Sequence, residues 1–283
     1  MFDDPNKMIL LPGVYDALVA RLAEVAGFDA MAHSGFGTAA AREAVPDIGL
    51  ISFGEMVEQV REISRGAGIP LVADADTGYG NAVSVYHTVQ EYIYAGAAGL
   101  FIEDQVWPKR CGHMYGKQII SLSEMTEKIK AALKARDEID PDFIIGGRTD
   151  AIAVTGFEDA LKRGKKFEEL GMDFVFLEAP VDMKQMQQIT KEIHAPLMLN
   201  QIEGGKTPII SVEEARELGF RIVVFPLTTL MASTKAILEV LKVLKEKGTT
   251  TTVANRLTSF EDFVQNIVGN KKFTELAQQL KEE

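Results

Sequence analysis

Residues 97–113 of this chain read AAGLFIEDQVWPKRCGH. The first six residues are small or apolar, and a short run of this kind is typical of a strand buried on both faces in a parallel sheet. Two acidic residues follow directly, so charge appears where the predicted strand ends. A loop then carries two adjacent cations and the only Trp and Cys of the chain. This order favours an α/β fold with a site at the carboxyl end of the strand.

Short apolar runs alternate with amphipathic stretches along most of the chain. Eight strands separated by helices are the number and order of elements in a (β/α)8 TIM barrel, which is the predicted fold. The predicted strands are 9–14, 29–33, 70–75, 98–103, 142–148, 173–178, 196–200 and 221–226. The predicted helices are 16–26, 52–66, 81–95, 121–136, 157–170, 183–193, 211–218 and 228–247. The predicted caps are Asn81 and Ser123 at helix starts and Gly27, Gly96, Gly171 and Gly219 at helix ends.

The chain shows no interdomain linker, so residues 1–283 are predicted to form a single barrel domain, with 249–283 as a C-terminal helical extension. The extension carries an apolar stripe at helical spacing. This stripe consists of Phe260, Phe263, Val264 and Ile267. A closed barrel does not need it, so we expect it to pack on the outside of the barrel or on a partner. A monomer that folds the extension back on itself is the alternative.

Composition restricts the partners. A formal net charge of −11 argues against nucleic acid. No run reaches the ~18 apolar residues of a membrane span, and residues 1–5 lack the apolar core of a secretory signal. A single Cys excludes an internal disulfide framework and fits a reducing compartment, so a cytoplasmic location is predicted. An anionic substrate would need local cations or a metal.

The working residues of such a barrel lie at the carboxyl ends of its strands. Six predicted strands end in polar or charged side chains, which we expect to share one site. These residues are Ser34, Asp74 with Asp76, Glu103, Arg148, Glu178 and Asn200. Asp74, Asp76 and Glu103 offer the oxygen ligands that Mg²⁺ prefers, so a magnesium site is predicted, with Mn²⁺ as the alternative metal. Alternatively, Asp74 and Asp76 only begin the loop as turn residues.

Other residues at this rim suit substrate binding. Arg148 can pair with a substrate carboxylate through two hydrogen bonds. Ser34, Gly35, Phe36 and Asn200 are predicted to meet carboxylate or carbonyl oxygens. Glu178 is predicted to orient Arg148, His113 or metal-bound water.

Cys111 is the predicted proton donor. Lys109, Arg110 and His113 surround it in sequence, and such neighbours are expected to lower the pKa of a thiol. The alternative is an inert small core residue. Gly112 and Gly116 give loop 107–120 the freedom to close over the substrate and bring Cys111 in while excluding water.

These motifs resemble the isocitrate lyase and phosphoenolpyruvate mutase superfamily, on its lyase side. The resemblance extends over nearly the whole chain, and its centre is Lys-Arg-Cys-Gly-His at 109–113 after Glu-Asp-Gln at 103–105. The other matching motifs are Pro-Gly-Val-Tyr-Asp-Ala-Leu (12–18), Ser-Gly (34–35), Pro-Asp-Ile-Gly (46–49), Asp-Ala-Asp-Thr-Gly (74–78), Arg-Thr-Asp-Ala (148–151), Glu-Ala-Pro (178–180), and Asn200 before Glu-Gly-Gly-Lys-Thr-Pro (203–208).

The resemblance implies roles beyond those that the residues suggest alone. It makes Asp74 and Asp76 magnesium carboxylates, with Glu103 acting through water, and it places Asp47 near the metal and the substrate. It implies that Cys111, Gly112 and His113 belong to the active loop. It also implies a homo-oligomer, a dimer of dimers in which the last barrel helix is exchanged between subunits.

The implied reaction is carbon–carbon cleavage of a small di- or tricarboxylate. A base takes the hydroxyl proton of a 2-hydroxy acid, the Cα–Cβ bond breaks in retro-aldol fashion, and Cys111 protonates the resulting carbanion. The products are a 2-oxo acid such as pyruvate and a carboxylic acid. Tyr15, Asp47 and a metal-bound hydroxide are the candidate bases.

Several substrates are consistent with the motifs. Methylisocitrate lyases carry an Arg after the eighth strand where this chain has Met231. The third carboxylate of methylisocitrate would therefore have no cation to pair with at this position. The motifs at 107–108 and 203–208 resemble the 2,3-dimethylmalate and 2-alkylmalate lyase branch, so a substituted malate is favoured. The alternatives are 2-methylisocitrate lyase, oxaloacetate decarboxylase or hydrolase, and a carboxyphosphonoenolpyruvate phosphonomutase-like enzyme. A barrel kept only as a binding module is the alternative from a different class.

Overall fold

The structure is a computed structural model that describes Asp4 and residues 7–282. The expectation about a secretory signal at residues 1–5 therefore falls, apart from Asp4, outside the described residues. Within the described residues, no helix combines the length and the apolar character needed to cross a bilayer.

Eight strands of the described chain form one parallel sheet, in the spatial order β6-β5-β4-β3-β2-β1-β8-β7. The strands are β1 (Ile9–Val14), β2 (Met31–His33), β3 (Leu71–Asp74), β4 (Gly99–Glu103), β5 (Ile144–Thr149), β6 (Phe174–Leu177), β7 (Met198–Asn200) and β8 (Ile222–Phe225). A parallel bridge from Val175 to Leu197 joins the two end strands. The sheet is thus a nearly closed barrel, and the TIM-barrel prediction is confirmed.

Helices separate the strands, as the alternating pattern predicted. They are α1 (Ala17–Val25), α2 (Gly35–Glu43), α3 (Phe53–Gly66), α4 (Ala82–Ala95), α5 (Leu122–Ile139), α6 (Ala151–Val154), α7 (Phe157–Glu169), α8 (Met183–Glu192), α9 (Val212–Leu218), α10 (Thr228–Lys247), α11 (Phe260–Asp262) and α12 (Asn270–Glu282). A 3₁₀ segment spans Thr251–Arg256 and a π-helical segment spans Phe263–Ile267. The pattern did not predict α2, which starts among glycines, or α6, which is a single turn.

The helix ends test the predicted caps. Asn81 caps α4 by accepting hydrogen bonds from the N–H groups of Val83 and Ser84, as predicted. The Ser123 prediction is wrong, because Ser121 caps α5 and accepts from Glu124 N–H at 3.1 Å. All four predicted glycine stops have positive φ, between 86° and 102°, which favours glycine.

Two apolar layers hold the barrel together. The larger layer fills the space between the strands and the surrounding helices. The smaller layer plugs the inside of the barrel and includes Leu11, Phe101, Phe176 and Val224. Phe101 and Phe176 meet edge to face, with ring centroids 5.8 Å apart. Three of these side chains also line the cavity above the plug, so the plug forms the floor of that cavity.

The C-terminal part of the chain leaves apolar surface uncovered. No residue of the 20-residue helix α10 is buried. Ile237, Leu238, Leu241 and Leu244 are 44–62% exposed. Ile267 is buried, and its carbonyl accepts from Arg21 on α1 at 3.1 Å, so this part of the extension docks on its own barrel. Helix exchange between subunits and the division of residues 1–283 into barrel and extension stay predictions.

Candidate active site

A cavity of about 590 Å³, including its open mouth, lies at the carboxyl ends of the strands. Ten of the predicted site residues line it together. They are Ser34, Gly35, Phe36, Asp47, Asp74, Cys111, Gly112, Arg148, Glu178 and Asn200. The other three predicted residues, Asp76, Glu103 and His113, do not line the cavity but contact Asp74, Arg148 and Glu178, respectively.

Strand register explains why distant residues meet here. Glu103 at the end of β4 pairs directly with Arg148 on β5. Asp74 ends β3, next to β4. Because all strands run in parallel, their final residues reach the same rim.

The acidic turn after β3 is tightly held. Asp76 has φ of 47°, an uncommon conformation for a residue other than glycine. Its N–H donates to Asp74 Oδ1 at 2.9 Å, and its Oδ2 accepts from Tyr79 at 3.1 Å. This leaves Asp74 as the carboxylate of the turn that lines the cavity.

Lys109 fastens the catalytic loop to two carboxylates. Its buried ammonium lies 2.5 Å from Asp47 Oδ1 and 2.7 Å from Asp76 Oδ1. Burial alone would lower the pKa of Lys109, but Asp76 and Asp47 raise it well above its ordinary value. The cation is therefore engaged beneath the loop and not directed at the thiol.

The predicted lowering of the Cys111 pKa is wrong. Burial raises the pKa of this thiol to about 11, helped by the nearby charges of Asp47 and Glu178, and the His113 backbone N–H and Arg148 only partly oppose the shift. The sequence shows the cations next to Cys111, but it does not show that the thiol is removed from water. A thiol with a raised pKa stays protonated at neutral pH, which suits a proton donor.

His113 bridges two parts of the rim. Its Nδ1 accepts from the Lys206 backbone N–H at 2.9 Å, so the ring proton is on Nε2. Nε2 lies 2.9 Å from Glu178 Oε1. Asn200 Nδ2 also donates to both oxygens of Glu178, at 3.1 and 3.2 Å. Glu178 therefore orients two groups of the site.

Arg148 is held among carboxylates. Its Nε lies 3.0 Å from Asp150 Oδ2, 3.2 Å from Glu103 Oε2 and 3.9 Å from Glu178 Oε2. Its guanidinium also lies over the Phe176 ring, at 5.1 Å from the centroid. These contacts fix the guanidinium at the cavity wall.

Gly112 packs directly against this arginine. A Cβ at position 112 would lie 2.6 Å from Arg148 Nη2 and 2.5 Å from Glu178 Cγ. The close approach of the loop to the guanidinium therefore requires glycine here.

The donor set fits a magnesium ion. Glu103 Oε1 and Asn200 Oδ1 are buried and have no hydrogen-bond partner. Burial raises the pKa of Glu103 well above its ordinary value, although the charge of Arg148 acts to lower it. The negative charge of this carboxyl is therefore only partly compensated. Among the described residues, no group of three or more His, Cys, Asp or Glu is arranged to hold a metal ion by itself. Mg²⁺ needs only one or two carboxylates with several waters, and Asp74 can supply the first of these.

Sequence reasoning missed two further residues at the site. Lys117 contacts the carbonyl of Gly112 and the carboxylate of Asp150. Asp150 in turn binds Arg148. Asp150 lies in a quoted motif, but nothing in the spacing distinguishes Lys117 from the many surface lysines of the chain.

Fold and site together define a TIM-barrel enzyme whose cavity, lined by both charged and apolar side chains, opens at the carboxyl ends of the strands. The sequence profile of the family described as phosphoenolpyruvate phosphomutase matches residues 2–245. The chain therefore belongs to this family, within the PEP mutase/isocitrate lyase superfamily of lyases and mutases, as the motifs predicted.

Two curated relatives are similar over most of their length. The 2,3-dimethylmalate lyase of Eubacterium barkeri is 41% identical over 271 residues, which are 96% of this chain and 93% of that protein. A 2-methylisocitrate lyase of Aeropyrum pernix is 42% identical over 264 residues, covering 92% and 84%.

Solved structures show the same similarity. A crystal structure of 2,3-dimethylmalate lyase matches with a TM-score of 0.92 and 35% identity, over 99% of this chain and 92% of that one. Oxaloacetate acetylhydrolase with the inhibitor 3,3-difluorooxalacetate matches with a TM-score of 0.93 and 35% identity, over 99% and 94%. Phosphonopyruvate hydrolase in complex with oxalate and Mg²⁺ matches with a TM-score of 0.86 and 29% identity, over 97% and 95%.

Proposed function

We propose that the protein is a Mg²⁺-dependent carbon–carbon lyase that cleaves a substituted malate, of the 2,3-dimethylmalate or 2-alkylmalate type. The products are pyruvate, or another 2-oxo acid, and a carboxylic acid. One observation carries the proposal: the thiol of Cys111, whose pKa is raised by burial, lines the same cavity as Asp74 and Arg148. A proton donor, a metal carboxylate and an anion-binding cation are the three groups that this cleavage needs.

Asp74 would hold the metal, with Asp76 and Glu103 behind it. Bound Mg²⁺ supplies a Lewis acid that polarises the 2-hydroxyl or 2-oxo group and neutralises a carboxylate. The oxalate and Mg²⁺ in the phosphonopyruvate hydrolase structure support this arrangement by similarity.

The chain's own residues would divide the remaining work. Arg148 would bind a substrate carboxylate and stabilise the negative charge that develops on it. Ser34, Gly35 and Asn200 would orient the same end of the substrate. Loop 107–120 would exclude water while it holds the thiol in place.

The cleavage moves one proton and one bonding electron pair in each of its two steps. A base takes the hydroxyl proton, the carbonyl forms, and the Cα–Cβ bonding pair moves into the carboxylate of the leaving fragment. Cys111 then gives its proton to the carbanion carbon, and the thiolate is reprotonated before the next turnover. Of the candidate bases, Asp47 lines the cavity, with its Oδ1 held by Lys109, whereas Tyr15 does not line it and its hydroxyl is paired with Ser233 at 2.8 Å.

The cavity wall supports an alkyl-bearing substrate. Ile202, Pro226 and Leu227 line the cavity together with the polar groups. Met231, the position where methylisocitrate lyases carry an Arg, is 50% exposed and supplies no charge. A dicarboxylate with an alkyl substituent therefore matches the wall better than a tricarboxylate does.

One observation favours 2-methylisocitrate lyase as a second candidate. Arg110 is exposed at the rim and also lines the cavity. A cation there can receive a third carboxylate.

Pyruvate release from three substrates tests the choice. We expect the purified enzyme with Mg²⁺ to prefer 2,3-dimethylmalate or 2-methylmalate over 2-methylisocitrate by about tenfold or more in kcat/KM. A preference for 2-methylisocitrate would overturn the substrate assignment. No turnover of any of them by folded, Mg²⁺-loaded protein would revive the binding-module interpretation.

Cys111→Ser separates cleavage from decarboxylation of oxaloacetate. Cleavage followed by carbanion protonation is expected to lose about a thousandfold in kcat, since the hydroxyl is a far weaker acid than the thiol. Decarboxylation of oxaloacetate needs the metal and the anion-binding groups, so it is expected to fall much less. Equal losses for both reactions would remove the assigned role of Cys111.

We also propose a homo-oligomer. The exposed apolar side chains along α10 support packing of this helix on a second copy of the chain, as in the dimer of dimers implied by the resemblance. The cytoplasmic location stays a prediction from the single cysteine and the acidic composition.

A further inference from the structure

Lys117 is a buried lysine in the catalytic loop. Its side chain is 2% exposed. Its ammonium donates to two acceptors, the carbonyl oxygen of Gly112 and Asp150 Oδ1, the latter at 2.6 Å. A buried ammonium is costly unless it is paired, so both contacts are needed to keep it there.

Asp150 links this lysine to the substrate-binding arginine. Its Oδ2 accepts from Arg148 Nε at 3.0 Å, and its backbone N–H donates to Asp104 Oδ1 at 2.9 Å. Burial alone would raise the pKa of Asp150, but Arg148 and Lys117 hold it at about 2. One carboxylate, paired with both cations, thus joins the end of β5 to the loop.

The second contact of Lys117 fixes the orientation of a peptide group. The Gly112–His113 peptide bond is trans, so its C=O and N–H point in opposite directions. Because Lys117 holds the Gly112 oxygen, the His113 N–H points to the other side. The contact therefore fixes the backbone at the residue that directly follows Cys111.

We propose that Lys117 is a positioning residue that holds the Gly112–His113 peptide and thereby keeps the Cys111 thiol over the cavity. Asp150 binds both Lys117 and Arg148, so the same carboxylate holds the loop and the arginine. The inference deepens the proposed function and rests on it for the chemical role of Cys111. The placement of the thiol by Lys117 can be measured without any turnover.

Alkylation of Cys111 by iodoacetamide is the direct test, because Cys111 is the only cysteine of the chain. In the full-length, Mg²⁺-loaded protein at pH 8, wild type is expected to react slowly. Lys117→Met is expected to react at least about tenfold faster, since the released loop exposes the thiol to water and reagent. Its kcat for the malate substrate is expected to fall about tenfold or more with a smaller change in KM, because Arg148 remains in place.

Lys128→Met is the matched control. Lys128 is also a buried lysine whose ammonium donates to a backbone carbonyl, that of Thr77 at 3.0 Å, but it does not contact the catalytic loop. It is expected to lower the Tm while the alkylation rate of Cys111 stays within about twofold of wild type. If Lys117→Met does not fold, Lys117→Gln removes the charge more mildly and is expected to act in the same direction.

Two outcomes would overturn the proposal. One is a wild-type alkylation rate in the folded Lys117 variants. The other is an equal increase in Lys117→Met and Lys128→Met, which would indicate general loosening. Failure of the proposed function looks different: wild type would release no pyruvate from any malate, while the contrast in alkylation would persist.

Discussion

His113 Nδ1 accepts a 2.9 Å hydrogen bond from the backbone N–H of Lys206, which fastens the loop after β4 to the loop after β7. The same pair of loops is joined at the surface, where the Lys206 ammonium lies 4.7 Å from the centroid of the Tyr115 ring. The loop that carries Cys111 is therefore held by a second loop as well as by the barrel. If it opens, it must break both of these contacts.

Gly205→Ala is expected to break this coupling. A Cβ at position 205 would lie 2.6 Å from His113 Nδ1, so the imidazole must move away from Lys206. We expect kcat/KM for the carboxylate substrate to fall about tenfold or more, because a displaced loop misplaces the thiol. Gly54→Ala is the matched control, since nothing lies within 4 Å of its added Cβ. Wild-type kinetics in Gly205→Ala would show that the coupling is not needed.

The raised pKa of Cys111 predicts the pH dependence of its alkylation. Because burial raises this pKa to about 11, the thiolate is scarce at neutral pH. The alkylation rate is expected to rise about tenfold per pH unit from pH 7 to 10 without levelling off. The protein unfolded in urea serves as the control, and its rate should level off near the ordinary thiol pKa of ~8.5. A plateau at that pH in the folded protein would contradict the raised pKa of the thiol.

Magnesium alone is expected to stabilise the protein. Mg²⁺ bound at Asp74 would compensate carboxyls that are now buried beside one another, so the Tm should rise by about 2–4 °C at saturating Mg²⁺. Asp74→Asn should abolish this shift. Asp29→Asn, an exposed carboxylate at the opposite end of the barrel, should keep it. An equal shift in both variants would place the ion elsewhere.

A charge on the outer face of α10 is expected to reduce the oligomer. Leu241 is 53% exposed in the single chain, and Leu241→Glu would bury a carboxylate if this face packs on a second copy. Light scattering after size exclusion should then report a smaller particle than wild type. Lys242→Gln lowers the net charge by the same one unit at the adjacent exposed position and controls for net charge. An unchanged mass for Leu241→Glu would place the interface on another surface.

The fold could be predicted from the sequence because its signals are local. Apolar runs, helical periodicity and glycine stops each span a few residues, and the eight predicted strands agree with the observed strands within about two residues at either end. The rim was also predictable, since parallel strands bring their final residues together. Ten predicted site residues line the cavity for this reason.

The chemistry of the rim depends on ion pairs between residues that are far apart in the sequence, and no sequence pattern predicts them. Lys109 meets Asp47 across 62 positions, and Lys117 meets Asp150 across 33. These contacts exist only after the loop has packed against the barrel. The same packing reversed the expected pKa shift of Cys111, because burial outweighs the cations that are adjacent in sequence. By itself the sequence determined the barrel, the family and the composition of the rim. Tertiary structure alone decided which charges are paired, which are buried and how the thiol is held, because desolvation and ion pairing depend on distances between residues far apart along the chain.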